Sequence, residues 1–379
     1  MRFLNDLENL KMRFHLLALP NTQTTQAYSL DGFAMCTIRF AQLLKELGHT
    51  VYLYASEENE APCDELITVI TKEEIEVLLN VVNTPYQYAY IEEWSPLFQI
   101  ANARAIREIV KRKQPHDFIC LIGGSSQKSV TDAHPDLICL EYSIGYQGSF
   151  APFRVFESHA WRHTTYGVQG MTSGRFCDTV IPCFFEEAQF PFQKSKEDFA
   201  LYVGRLIPRK GIEIVCQASQ IAGIPLKIIG HGDQNLITYG EYLGALSYEQ
   251  RNVIMSKARA VFCPTIYVEP FCCVAVEAQL CGTPVISTDF GGFTEIVEHG
   301  VTGYRCSCLT EFVKALTDVK SLDANYIRSR AIKKYSIHNV KHDYQRYFNR
   351  IQFYKGLDCL DRIGEMLSGK PVSGNSGTK

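Results

Sequence analysis

Short apolar runs alternate with amphipathic stretches along most of the chain. In the first half, residues 14–19 read as a buried strand, followed by Pro20 and a loop rich in Thr and Gln. Residues 34–47 then carry apolar side chains at helical spacing, Gly48 stops that helix, and 51–54 is the next strand. The same alternation predicts a helix over 100–113, strands over 117–122 and 137–140, a helix over 157–166 and a strand over 179–182. Runs such as F-I-C-L-I have no polar face, as in strands covered on both sides. Strand and helix in alternation predict a parallel sheet between helical layers.

Residues 186–198 break the pattern. They are rich in charge, contain Pro191 and show no apolar period, so they are the candidate linker. Beyond them the alternation restarts, with strands over 199–203, 225–229, 260–263 and 285–287 and helices over 211–222, 248–257 and 272–280. This predicts a second doubly wound α/β unit. A length of 379 residues exceeds what one core usually supports, so two units with a ligand cleft between them are expected. The expected division is a Rossmann-like domain over 1–185, a linker over 186–198, a second Rossmann-like domain over 199–342, a helical segment over 343–368 packing back toward the first domain, and a tail over 369–379.

Charge and cysteine usage narrow the classes. A formal net charge of −3 gives no polybasic footprint, which argues against nucleic acid as a partner. Lys111-Arg112-Lys113 is a short basic cluster at a helix end, where cations favour the helix dipole. The first eleven residues lack the apolar core of a signal peptide, and no run approaches the roughly 18–20 apolar residues of a membrane span. Stable membrane association is therefore not expected. Cys120, Cys139 and Cys263 lie inside apolar runs, where they behave as small hydrophobes. Cys306-Ser307-Cys308 is spaced for a metal clip but has no second pair nearby, so no metal site is expected. A reducing, cytoplasmic setting follows as the expectation.

Two segments carry chemistry. The run F-A-L-Y-V-G-R-L-I-P-R-K-G-I at 199–212 is a strand, a glycine turn, then Arg205 and Lys210 just before a helix start. Two cations beside a helix N-terminus can offset charge as it builds on a leaving phosphate, although a surface loop would also carry them. In E-P-F-C-C-V-A-V-E at 269–277, Glu269 precedes a helix and Glu277 lies about two turns into it. Glu277 has almost entirely apolar neighbours, as in a buried helix whose one polar face meets a cleft.

Taken together, the second half resembles the family-4 retaining glycosyltransferases of the GT-B fold. The matching positions are V-G-R-L-I-P-R-K-G at 203–211, I-I-G-H-G at 228–232 with Gly230 and Gly232, Y-L-G at 242–244, the glutamate pair, T-D-F-G-G-F-T-E at 288–295 and G-V-T-G-Y at 300–304. The resemblance implies a nucleotide-sugar donor domain in 199–342 facing an acceptor-side domain in 1–185. It implies that Arg205 and Lys210 bind the donor pyrophosphate, Glu269 the sugar hydroxyls and Glu277 the ribose, with backbone N–H groups at Phe271, Cys272 and Cys273 facing the same site. The chain has no D-x-D triplet, consistent with side-chain cations in place of a metal, and no cofactor is implied. Cys272 stands where the family usually has Gly, and its Cβ is expected to restrict the backbone and crowd the sugar.

The first half offers weaker candidates. The glycine pair usual after strand one is reduced to Gly32, and the strand-end His of the acceptor side is missing. Glu141 at a strand end is a candidate acceptor-side base, with a structural carboxylate as the other reading. His159 and His163, at helical spacing beside Trp161, are further acceptor-side candidates or packing residues. Gly123-Gly124-Ser125-Ser126 is a possible phosphate nest. The expected activity is transfer of a sugar from a nucleotide diphosphate sugar to an unidentified hydroxyl acceptor, with a nucleotide-sugar-binding protein as the alternative. A dinucleotide oxidoreductase would need G-x-G-x-x-G opening a helix, and the chain has no such run.

Overall fold

A computed structural model describes residues 11–29, 31–80, 82, 84 and 94–356. The first part of the chain runs through β1 (Arg13–Leu17), α1 (Gly32–Glu46), β2 (Thr50–Ser56), β3 (Glu65–Ile70), α2 (Lys72–Leu79), α3 (Pro96–Val110), β4 (Phe118–Leu121), α4 (Lys128–Asp132), β5 (Ile138–Ile144), β6 (Phe153–Phe156), α5 (His159–Val168) and β7 (Asp178–Val180). Among the described residues its strands form a seven-stranded sheet in the order β3-β2-β1-β4-β5-β6-β7. The pairings are parallel. Local signals start the helices where they begin. Asp31 accepts from the Phe33 N–H at α1, Thr71 and Glu74 form a capping box at α2, and Ser95 precedes Pro96 at α3.

The second part comprises β8 (Ala200–Val203), α6 (Ile212–Ala222), β9 (Leu226–Ile229), β10 (Glu241–Tyr242), α7 (Tyr248–Lys257), β11 (Ala260–Cys263), α8 (Cys273–Leu280), β12 (Val285–Thr288), α9 (Phe293–Ile296), β13 (Gly303–Cys306), α10 (Leu309–Asp318) and α11 (Ala324–Tyr335). Its strands form a parallel sheet in the order β10-β9-β8-β11-β12-β13. Two Rossmann-like α/β units with parallel sheets are thus present, as the alternation predicts. Strands β4, β8 and β11 are buried at every position, which is why they read as unbroken apolar runs.

Four strands lie outside the sequence expectation, among them the two-residue edge strand β10. β3 is a half-exposed edge strand, and β13 begins on Gly303 at φ 158°. β6 is interrupted by Arg154, which is fully buried and forks onto Asp178 at 3.0 and 2.5 Å.

The chain passes between the units twice. The charge-rich stretch 186–198 is docked on the second unit: Phe190 is buried against Phe185 and Tyr248, with ring centroids 5.8 and 5.9 Å apart. The Lys196 ammonium donates to the carbonyls of Ser256 and Cys281 and to Thr283 Oγ1, at 2.8, 3.1 and 2.9 Å. Beside this crossing the chain returns, with the Phe185 N–H bonded to the Tyr335 carbonyl at 2.9 Å and the Ile337 N–H to the Phe185 carbonyl at 3.0 Å. Helix α12 (Ile337–Gly356) follows, starting earlier than the expected 343 because Ser336 restarts the helix by accepting from the His338 N–H. It packs on the first unit, with the Phe348 ring 4.9 Å from Phe14 and 5.7 Å from Phe118. The expected remainder of that segment and the tail over 369–379 lie outside the described residues. No helix among the described residues is long and apolar enough to cross a membrane.

Candidate functional site

In each sheet the strand order reverses at one place, between β1 and β4 in the first and between β8 and β11 in the second. Loops leaving the strands there diverge and leave room for a ligand. The two openings meet in a cleft of about 580 Å³. The first unit contributes Asp31, Gly32, Phe33, Cys36, Arg39, Tyr146, Glu157 and Trp161 to its walls. The second contributes Arg205, Arg209, Lys210, Gly230, His231, Arg251, Tyr267, Glu269, Phe271, Cys273 and Glu277.

The cationic wall is built by the loop after β8. A 3₁₀ turn, Pro208–Lys210, ends on Gly211 at φ 73°. A Cβ at Gly211 would stand 2.2 Å from the Pro264 carbonyl oxygen, so this close approach requires glycine. The turn delivers Lys210 Nζ to Glu269 Oε2 at 2.7 Å. The Tyr267 hydroxyl donates to the other Glu269 oxygen at 2.9 Å, while its ring lies 5.1 Å from Lys210 Nζ and 4.8 Å from the Arg209 guanidinium carbon. Burial works against the Lys210 charge, but the Glu269 carboxylate together with Cys272 and Tyr267 outweighs it, and the Lys210 pKa is raised. Lys210 therefore stays cationic in a mostly enclosed position.

Opposite this wall, α8 starts at Cys273 with no side-chain cap from Cys272. Cys272 has φ −108° and ψ 95°, an ordinary extended conformation, and its side chain is buried next to Cys263. It does not line the cleft. The backbone there has no need of glycine, which corrects the expectation that the Cβ restricts it; the thiol lies within reach of the Lys210 and Glu269 charges without lining the cleft. Further along α8, Glu277 is buried and accepts from Arg251 Nη2 at 3.1 Å on both oxygens and from the Tyr248 hydroxyl at 3.3 Å. Arg39 on α1 approaches the same carboxylate at 3.8 Å and donates to Tyr248 Oη at 3.2 Å. Glu277 is thus part of a charge network that joins the two units.

The remaining expectations divide. Gly32 opens α1 and lines the cleft, as does Gly230. Gly230 has φ 151°, and a Cβ there would fall 1.8 Å from the Gly204 carbonyl oxygen. Gly232 lies off the cleft, bridged to Leu206. Glu141 is not on the cleft either: it is fully buried in β5 and accepts from the Phe150 and Ala151 N–H groups at 2.8 and 2.7 Å, tying down the following loop. His159 and His163 are exposed on α5 and also lie outside the cleft. None of the three is on the cleft wall, which Trp161 reaches from the same helix as the two histidines. Sequence reasoning missed Arg39, Arg251, Tyr267 and Glu157. Arg39 had a signal, a lone cation within the apolar helix G-F-A-M-C-T-I-R-F-A.

Comparison with known proteins agrees with this geometry. Residues 184–338 match the family model described as glycosyl transferases group 1. The chain is 32% identical over 122 residues to an uncharacterised glycosyltransferase of Methanocaldococcus jannaschii, a match covering 30% of this chain and 34% of that protein. It is 30% identical over 149 residues to the glycogen synthase of Mycobacterium tuberculosis, covering 34% and 36% respectively. These matches span about a third of the length of the curated relatives. Among solved structures, AviGT4, a glycosyltransferase involved in avilamycin A biosynthesis, superposes with a TM-score of 0.67 at 19% identity, over 90% of this chain and 98% of that one. The fold is GT-B.

Proposed function

We propose that this chain, whose residues 184–338 form a glycosyltransferase group 1 domain, transfers a sugar from a nucleotide diphosphate sugar to a hydroxyl acceptor with retention of configuration. The observation that carries the reading is the Lys210–Glu269 pair, 2.7 Å apart at the mouth of the second sheet and facing the uncapped start of α8. In this reading Lys210 and Arg205 hold the donor diphosphate, helped by the first N–H groups of α8. Glu269 accepts from sugar hydroxyls, and Glu277 from the ribose. The cations offset charge on the departing phosphate, whose oxygen takes the acceptor proton on the same face of the sugar. The charge that a divalent ion would offset at the diphosphate falls to these side chains, so no metal is assigned to that step. The acceptor enters against the first unit, where Phe33, Tyr146 and Trp161 provide an aromatic wall. Residues 199–342 serve as the donor domain and 1–185 as the acceptor side, in a reducing cytoplasmic setting to which the free thiols are suited.

A second reading, binding of nucleotide sugars without transfer, is favoured by one observation: Glu141, His159 and His163 all lie off the cleft, which leaves the acceptor side without a base from that set. The deciding assay presents a panel of UDP-, GDP- and ADP-sugars with candidate acceptors and follows both nucleotide release and product. Wild-type protein is expected to turn over one donor class. Lys210→Ala is expected to reduce that rate by at least about 100-fold with an unchanged circular dichroism spectrum, the scale of losing one charge-stabilising group. Full activity in that variant would overturn the assignment, and tight donor binding with no product would favour the second reading.

A further inference from the structure

At the floor of the cleft, beside the donor wall, lies a cluster of sulfur and carboxylate groups with no part in the transfer step. Cys36 comes from α1, Glu157 follows β6, and Cys183 stands where the chain leaves the first sheet. Their donor atoms all lie within 4.8 Å of one another, with the Cys183 thiol 2.9 Å from Glu157 Oε1. A fourth candidate, Cys273, is the first residue of α8 and adjoins the Cys183 thiol. Among the described residues Glu157 forms no ion pair with Lys, Arg or His, although Glu74, Glu269 and Glu277 each have one. A half-buried carboxylate packed against buried thiols, without a counter-charge, is an arrangement that a cation would complete.

We propose that Cys36, Glu157, Cys183 and Cys273 form a binding site for a soft divalent cation, Zn²⁺ in the first instance, which ties the two units together at the cleft floor. Thiolates with one carboxylate favour Zn²⁺ over Mg²⁺ or Ca²⁺, which take oxygen ligands. In a tetrahedral zinc site the donor atoms stand about 3.3–3.8 Å apart; the donor atoms of Cys36, Glu157 and Cys183 already lie within 4.8 Å of one another, and Cys273, beside Cys183, would move in as the fourth. Cys36, Glu157 and Cys273 face the cleft, which provides an entry path. The site borders the diphosphate position, because Cys273 opens the helix whose first N–H groups are assigned to the phosphates, but it uses side-chain donors that the transfer step does not, and it stands whether or not the chain transfers sugar.

The test uses the full, untagged chain, purified under reductant, stripped with a chelator and titrated with Zn²⁺ and with Co²⁺. One equivalent is expected to bind, and Co²⁺ is expected to give intense visible bands with thiolate-to-cobalt charge transfer, the mark of a tetrahedral sulfur site. Cys183→Ser should weaken binding by at least about 100-fold, beyond the effect of losing an outer-shell partner, and dim the charge transfer. Cys216→Ser, at a buried thiol outside the cluster, should change neither. If Cys183→Ser does not fold, the wild-type cobalt spectrum decides the question, with Glu157→Gln as the near-isosteric second variant. A reduced wild-type chain that takes up neither metal, a spectrum that survives loss of Cys183, or a disulfide within the cluster in reductant-treated protein would each overturn the proposal.

Discussion

Glu141 shows how far burial moves the role of a single side chain. The strand-end position suggested a base, but burial pushes its carboxyl up to about 7, against the N–H groups of Ala151 and Phe150, which favour its charge. A carboxyl raised on folding stabilises the protein fully below its ordinary value of 4.5, and that contribution is lost as pH rises through about 7. The whole change amounts to about 3 kcal/mol. Denaturant titrations should show wild type losing stability across this window, and Glu141→Gln, which cannot ionise, losing about 3 kcal/mol less. Cys272 sits at the other extreme, a buried thiol whose backbone makes no demand for glycine. Cys272→Gly is expected to lower stability by about 1–2 kcal/mol through backbone freedom and lost packing, and to leave the donor KM unchanged. A much lower KM would show that the side chain does intrude on the site. Lys210 and Glu269 were legible because each belongs to a local run whose spacing carries meaning. Arg39 gave only the signal of a lone cation in an apolar helix, and Arg251 and Glu157 gave none, because the partners of all three come from elements distant in the chain.

Elements were legible where a buried run is wholly apolar and obscure where a charge or an exposed face interrupts it. β4, β8 and β11 announced themselves, whereas β6 was hidden by Arg154, whose buried pairing with Asp178 no local pattern reveals. Helix α12 was expected as a helix from 343 onward, and only its start at Ile337 was not. Among its charged and polar residues runs an apolar stripe made by Tyr344, Tyr347, Phe348 and Ile351, all buried. Phe348 stands among Phe14, Phe40 and Phe118, so Phe348→Ala opens a cavity in the first unit's core. A loss of about 3–5 kcal/mol is expected by chemical denaturation. Hydrogen exchange should rise in β1 and β4 while β8 and β11 keep their protection, and equal loosening in both sheets would contradict this placement of the helix.

At the scale of the molecule, the units meet through polar contacts as well as through the cleft network. The Glu295 carboxylate accepts from the His159 and Ala160 N–H groups at 3.0 and 2.8 Å, capping α5 from the opposite unit, and the Ser158 hydroxyl donates to the Pro270 carbonyl at 2.6 Å. Glu295→Ala removes two charge-assisted bonds worth about 1.5–3 kcal/mol each, and the cleft should open in a larger share of molecules. Small-angle scattering is expected to give a larger radius of gyration for the variant, with a raised donor KM. An unchanged radius would mean that the Arg39–Glu277 network holds the closure alone. The two-unit plan itself was legible, since the alternation simply stops and restarts, but nothing local in 186–198 shows that it is docked along its length. The return of α12 to the first unit also bears on synthesis. A ribosome releases the chain from its N-terminus, yet the core around Phe14 and Phe118 is closed by the 20 residues of Ile337–Gly356, made after the second sheet is complete. The sheet begun first is finished last, and its unsealed face waits on the ribosome through all of the second unit's synthesis, with the closing helix itself adding about 1–4 s at about 5–20 residues per second.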